Sequence, residues 1–108
     1  MNVRKITEKY FTYFRSKDIN QLKELFDDEI ILCDWELEIS GLNNVVSQNI
    51  KIFKNLGKFD LKIKNIYEIS KIVFAEINIL TNDEVIKVMD KIEFNEDNKI
   101  IKITAYKG

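Results

Sequence analysis

Apolar residues recur three and four apart through much of the first half of the chain and two apart through the second half. Ile6, Tyr10, Tyr13 and Phe14 keep helical spacing, which predicts an amphipathic helix over residues 3–15. Ser16-Lys17-Asp18 interrupts it. Asp18 followed by Gln21 has the form of a capping box, and Ile19, Leu22, Leu25 and Phe26 then make the stripe of a short second helix ending near Asp27. Residues 30–39 are rich in β-branched and large apolar side chains and read as extended. Ser40 is the expected cap of a third helix that carries Leu42, Val45, Val46, Asn49, Ile50 and Phe53 on one face, with Gly57 at its end. From Lys58 onward the pattern alternates. Phe59, Leu61, Ile63, Asn65, Tyr67 and Ile69 share one predicted strand face. Residues 72–81 form a second strand, Thr81-Asn82-Asp83 a turn, and Ile86, Val88, Asp90, Ile92 and Phe94 one face of a third. Asn95 to Asn98 turns the chain into a last strand over residues 99–106.

Hairpin-linked strands after a run of helices imply an α+β fold, with three N-terminal helices packed on a curved antiparallel sheet. The 108 residues contain no repeat, linker or low-complexity segment and read as a single domain, 1–108. A chain of this length buries about two thirds of its unfolded surface, so its core needs no covalent staple.

Composition removes several function classes. Seventeen basic and 18 acidic residues leave a formal charge of -1, which gives no electrostatic reason to expect nucleic acid or an anionic membrane. No apolar run is long enough to span a bilayer, and the N-terminus lacks the apolar core of a signal peptide. Cys33 is the single cysteine, which fits a reducing compartment and an expected cytoplasmic location. The chain has no histidine, so Ser-His and Cys-His nucleophiles, histidine bases and most zinc sites are excluded. No metal or cofactor is expected. Asp27-Asp28-Glu29 reads as a solvated turn, and Cys33 as a small core residue before a nucleophile.

Three polar residues stand where the pattern calls for apolar ones: Tyr10, Asn49 and Asp90. Asp90 falls between Val88 and Ile92 on the apolar face of its strand. A carboxyl in low dielectric favours its neutral form, and a neutral acid donates a hydrogen bond to a developing oxyanion. Equally, such a group can serve a backbone amide, a helix terminus or a buried water, and both readings stay open. Tyr10 on a helix core face either packs with its hydroxyl satisfied or works with Asp90. Asn49 reads as a pocket-lining amide or a buried one bonded to backbone. Asp34 is ambiguous by alternation, because the opposite face of its strand, Ile31, Cys33, Trp35, Leu37 and Ile39, is continuously apolar. Without a local irregularity its carboxylate points to solvent.

The stretch Tyr10-Phe11-Thr12-Tyr13-Phe14-Arg15-Ser16-Lys17-Asp18, followed by Leu25-Phe26-Asp27-Asp28, resembles a local pattern of the NTF2-like, or SnoaL-like, superfamily. So does Asp90-Lys91-Ile92-Glu93-Phe94-Asn95 leading to Lys99-Ile100-Ile101 and Ala105-Tyr106. The resemblance covers nearly the whole chain and implies an α+β cone. It is specific for the fold and poorly specific for activity, since unrelated functions share such folds. Within the superfamily the motifs resemble those of ketosteroid isomerase. Its oxyanion-donating tyrosine falls on Tyr10, its general-base aspartate on Asp34 and its protonated oxyanion-hole aspartate on Asp90. The loop after Asp34 is shorter here, Trp35 replaces the usual proline, and Asn49 stands where a pocket tyrosine is expected.

On this resemblance the protein is an isomerase- or cyclase-like enzyme that moves a proton α to a carbonyl. Asp34 is the base, and Tyr10 and Asp90 are the oxyanion donors. Phe14, Trp35, Asn49, Phe53, Tyr67 and Val88 are expected to line its pocket. The implied partners are a small apolar or carbonyl-containing ligand and a second copy of the chain, joined through the outer sheet face. Histidine-dependent dehydratase chemistry has no residues here. The only arginines, Arg4 and Arg15, lie on the first helix, which argues against an Asp-Arg-Asp epoxide hydrolase site. The alternative is a non-catalytic ligand-binding or dimeric assembly domain.

Overall fold

Two short polar side chains start the first two helices. In the computed structural model, which describes residues 2–108, α1 spans Val3–Arg15 and α2 spans Ile19–Leu25. Asn2 accepts a hydrogen bond from the Lys5 N–H at 2.9 Å, and Asp18 accepts from the Gln21 N–H at 3.2 Å. Each bond satisfies an amide that the first helical turn leaves without an internal partner. β1 (Phe26–Cys33) and β2 (Glu38–Ser40) follow, then α3 (Leu42–Leu56). The extended region over 30–39 is therefore two strands and not one, and β1 begins earlier, taking in Asp27-Asp28-Glu29. The third helix starts at Gly41, with φ of 93°, while Ser40 belongs to β2. That backbone conformation suits glycine far better than a capping serine.

β3 (Asp60–Ile69), β4 (Ile72–Leu80), β5 (Val85–Phe94) and β6 (Ile100–Lys107) complete the chain. The six strands form one sheet in the order β2-β1-β6-β5-β4-β3. All neighbours are antiparallel except β1 and β6, which run parallel. The sheet is thus mixed, not purely antiparallel. The long path through α3 and three hairpin strands returns β6 to β1 in the same direction, as a parallel pair requires. Register shifts interrupt the ladders within β1·β6, β3·β4 and β5·β6, and bulges of this kind bend a sheet.

The helices cover one face of this curved sheet. α1 lies against β3 and β4, α3 against β1 and β2, and α2 bridges the two helices. Cross-strand partners share a face, so the ladders place Leu32, Val73, Ala75, Ile77, Val88, Asp90, Ile92 and Ile103 on the helix-covered, concave side. Phe11, Leu22 and Ile30 are among the fully buried side chains beneath the helices. Each contributes about 1.5–3 kcal/mol by leaving water.

The alternation in β3 does not hold along its length. Ile63 pairs with Ile77, but Asn65 pairs with Glu76, so one residue of β3 is extra at Lys64. A one-residue insertion flips every later side chain. Beyond it, Ile66 faces Ala75 on the concave side, while Tyr67 pairs with Phe74 on the convex side.

Candidate functional site

Asp90 occupies the middle of the concave face. Its ladder partners are Ala75 on β4 and Ala105 on β6, and these are the only two alanines in the chain. Ala105 lines the open space beside the carboxyl, which a larger residue there would fill, while Ala75 is fully buried outside it. Val88 and Ile92, two residues away along β5, are buried on the same face.

Tyr10 approaches from α1. Ile6, Tyr10 and Phe14 stand four apart on the helix face turned to the sheet, and all three are buried. The Tyr10 ring is fixed by Phe11 edge-on at 5.0 Å, by Phe14 at 5.9 Å and by Phe26 at 6.2 Å. On α3 the buried stripe is Val45, Asn49 and Phe53, again four apart.

These elements line a partly open cavity of about 100 Å³. Tyr10, Asn49 and Asp90 supply its polar lining from three different elements, and Asp34 a fourth polar group from the loop between β1 and β2. The remaining wall is apolar: Phe11, Phe14, Leu32, Ile52, Leu61, Ile77, Ile79, Val88, Ile103 and Ala105, with Trp35 beside Asp34. The lining holds no lysine or arginine.

Burial pushes the Asp90 carboxyl up to about 7, because the low-dielectric wall disfavours its charged form. The Tyr10 hydroxyl is held well above its ordinary value, first by burial and then by the charge of Asp90. Among the described residues, neither the Tyr10 hydroxyl nor the Asp90 carboxyl has a hydrogen-bond partner. Asn49 is 3% exposed, and its Nδ2 is a buried donor without an acceptor.

Asp34 reaches the cavity because β1 ends at Cys33, so strict alternation no longer applies to it. Its Oδ1 accepts hydrogen bonds from the Glu36 and Leu37 N–H groups at 2.8 and 2.9 Å, and its own N–H donates to the Leu37 carbonyl. This side-chain-capped turn is what reverses the strand. One carboxylate oxygen is thereby tied to the loop, and Oδ2 makes no such bond. Trp35 is 48% exposed at this side of the cavity, with the Lys107 Nζ 5.6 Å from its ring centroid.

Two residues expected in the lining lie elsewhere. Phe53 is buried, but it meets Phe14 edge-on at 5.0 Å and stacks on Phe59 at 6.3 Å, outside the cavity wall. Tyr67 is half exposed on the convex face, because the extra residue at Lys64 reverses the side to which it points. Ile52, Leu61, Ile77 and Ile79 line the cavity without having been singled out, since their apolar pattern is that of any core residue. Ala105, a small residue facing Asp90, is the sequence signal that marks the space.

No protein-family model matches the chain, and no curated protein matches it. Solved structures do. An NTF2-like protein of unknown function from Cytophaga hutchinsonii superposes with a TM-score of 0.85 at 12% identity, over 100% of this chain and 91% of that one. A Kribbella flavida protein named "putative ketosteroid isomerase" gives 0.88 at 14% identity, over 98% and 77%. A SnoaL-like protein of unknown function from Burkholderia thailandensis gives 0.87 at 8% identity, over 98% and 93%. The chain has the NTF2-like fold. At these identities the likeness is one of architecture alone, and the chemistry rests on the side chains themselves. In this NTF2-like cone the polar groups gather at one cavity between α1, α3 and the sheet. Among the described residues, no group of histidine, cysteine, aspartate and glutamate side chains is placed to hold a metal, and no helix is long and apolar enough to cross a membrane.

Proposed function

We propose that this NTF2-like protein binds a small carbonyl compound in the cavity and transfers a proton α to its carbonyl. The observation that carries this reading is the convergence of Tyr10, Asp34 and Asp90 on one mostly apolar cavity, where burial pushes the Asp90 carboxyl up to about 7. The Asp34 carboxylate takes the proton from the carbon next to the carbonyl. The C–H electron pair forms the enolate double bond, and the carbonyl π pair moves to oxygen. Tyr10 and neutral Asp90 each donate a hydrogen bond to that oxygen, where charge develops. Asp34 then returns its proton to the γ carbon of a β,γ-unsaturated substrate, the double bond moves into conjugation, and the base is regenerated.

One observation favours a second reading, a ligand-binding module without turnover. Asp34 Oδ1 is already committed to two backbone N–H groups, so the carboxylate is part of the turn as well as the lining. The two readings part in an ultraviolet assay that follows conversion of a β,γ-unsaturated cyclohexenone to its conjugated isomer. Turnover above the buffer rate, lost in Asp34→Asn, supports catalysis; saturable binding with no turnover leaves the binding module.

We also propose that two copies pair through the convex sheet face. Tyr67, Ile69, Val85 and Tyr106 are each more than half exposed there, and Ile72, Phe74 and Met89 lie on the same side. Glu76, Lys87, Lys91 and Glu93 share that face, and apolar side chains exposed among charges of both signs suit a self-complementary contact.

A further inference from the structure

We propose, resting on the reading of the cavity as a ligand pocket, that its ligand is a neutral molecule of no more than one ring that offers a hydrogen-bond acceptor to Asn49 Nδ2. Three observations carry this. The first is size. The cavity measures about 100 Å³, below the roughly 150 Å³ that accommodates benzene in an apolar protein interior and far below the roughly 300 Å³ at which drug-sized pockets begin. A single six-membered ring already takes up all of a space this size and reaches its open side near Trp35. A fused polycyclic ketone would project well beyond it.

The second is an unmet donor. Buried polar groups are almost always hydrogen-bonded, and an unpaired buried amide is costly. Asn49 stands on the buried stripe of α3, its amide lines the cavity, and Nδ2 has no acceptor among the described residues. A ligand oxygen supplies one. Tyr10 offers a second donor in the same space. A carbonyl or ether oxygen satisfies these donors, whereas an ammonium group, though it can pair with the carboxyls of the lining, leaves the Asn49 donor unmet.

The third is charge. Among the described residues, the only ionisable lining side chains are Tyr10, Asp34 and Asp90, and no cationic group faces the cavity. An anionic ligand would enter beside acidic groups with nothing to neutralise it, and a buried unpaired charge is strongly disfavoured. Asn49 is therefore a specificity-determining residue: it selects oxygen-bearing neutral molecules over hydrocarbons of the same shape.

The test is binding to the full chain in the Asp34→Asn background, so that turnover plays no part. The probes are cyclohexanone, benzene, cyclohexylammonium, cyclohexanecarboxylate, a two-ring decalone and a tetracyclic steroid ketone. Cyclohexanone is expected to shift the Asn49 side-chain amide resonances saturably in nitrogen-15 NMR. Asn49→Leu, which keeps the volume and removes the donor, is expected to weaken cyclohexanone about tenfold while leaving benzene unchanged. The charged rings and the larger ketones are expected not to compete. Tighter binding of the decalone or the steroid, competition by either charged ring, or undiminished cyclohexanone affinity in Asn49→Leu overturns the inference. The wild-type amide shift and the size series stand even if Asn49→Leu does not fold. Cyclohexanone binding without any turnover of its unsaturated analogue by the wild type sinks the catalytic reading alone. Turnover of a polycyclic ketone sinks this inference and leaves catalysis standing.

Discussion

Asp90 and Ala105 face each other across the β5–β6 ladder, both on the concave side of the sheet. A carboxyl and a methyl side by side make a polar end and an open space at one point. Ala75 pairs with Asp90 from β4 but is fully buried outside the cavity. The site therefore depends on what β6 omits as much as on what Asp90 brings.

Burial of Asp90 makes stability fall with rising pH. Its carboxyl has an ordinary value of 3.8 and reaches about 7 in the folded chain. Between those values the folded state holds a proton that the unfolded state has lost. The contribution is therefore most favourable below pH about 4 and declines as pH climbs to about 7, by roughly 4 kcal/mol in total. Asp90→Asn removes the titrating group and keeps a donor. Thermal midpoints of the two proteins measured from about pH 4 to pH 8 are expected to diverge, the wild type losing ground to Asp90→Asn as pH rises. Parallel curves would show that Asp90 does not titrate in this way.

Asp34→Asn separates binding from chemistry. The amide oxygen can still accept the Glu36 and Leu37 N–H groups, so the turn and the cavity are retained. Isomerisation of a β,γ-unsaturated cyclohexenone is expected to drop at least a hundredfold, the usual scale of losing a positioned general base. The affinity for cyclohexanone, read by NMR titration, is expected to stay within about threefold. Equal rates in wild type and variant would remove Asp34 from the mechanism.

Ala105→Leu places a larger apolar side chain into the cavity. Filling open space adds apolar contact without forcing aside a packed neighbour, so the thermal midpoint is expected to hold or rise. Binding of cyclohexanone is expected to disappear below the detection limit of calorimetry. Retained affinity would put the ligand somewhere other than beside Asp90.

Phe74→Lys tests the convex face. Phe74 pairs with Tyr67 and Lys91, and its side chain lies opposite the concave core, so a lysine there reaches water without unfolding the sheet. Sedimentation velocity of the wild type at tens of micromolar is expected to show a dimer, and that of Phe74→Lys a monomer. A wild type that stays monomeric across a wide concentration range refutes the pairing.

Much of the architecture was legible in local periodicity. The first helix, the Asp18 cap and the strands at 72–81, 86–94 and 99–106 all emerge within a residue or two of their observed bounds, because each rests on contacts between near neighbours. The failures share a different cause. The strand over 30–39 is split by Asp34, whose side chain bonds to amides two and three residues ahead and reverses the chain where the apolar pattern runs on. Tyr67 is displaced from the concave side by a single unpaired residue, which no period-two reading detects. The parallel pairing of β1 with β6 joins segments some 70 residues apart.

By itself, then, the sequence determined the order of helices and strands apart from the split that makes β2, and singled out Tyr10, Asn49 and Asp90, because a polar side chain breaking an apolar stripe is a local fact. It also excluded histidine chemistry outright. Only the tertiary structure decided that these residues, from α1, α3 and β5, meet at one cavity with Asp34, and that Ala105 leaves room there. Which side chains share a space depends on strand register and on bulges. Those are set by pairing between distant segments, and no window of neighbouring residues contains them.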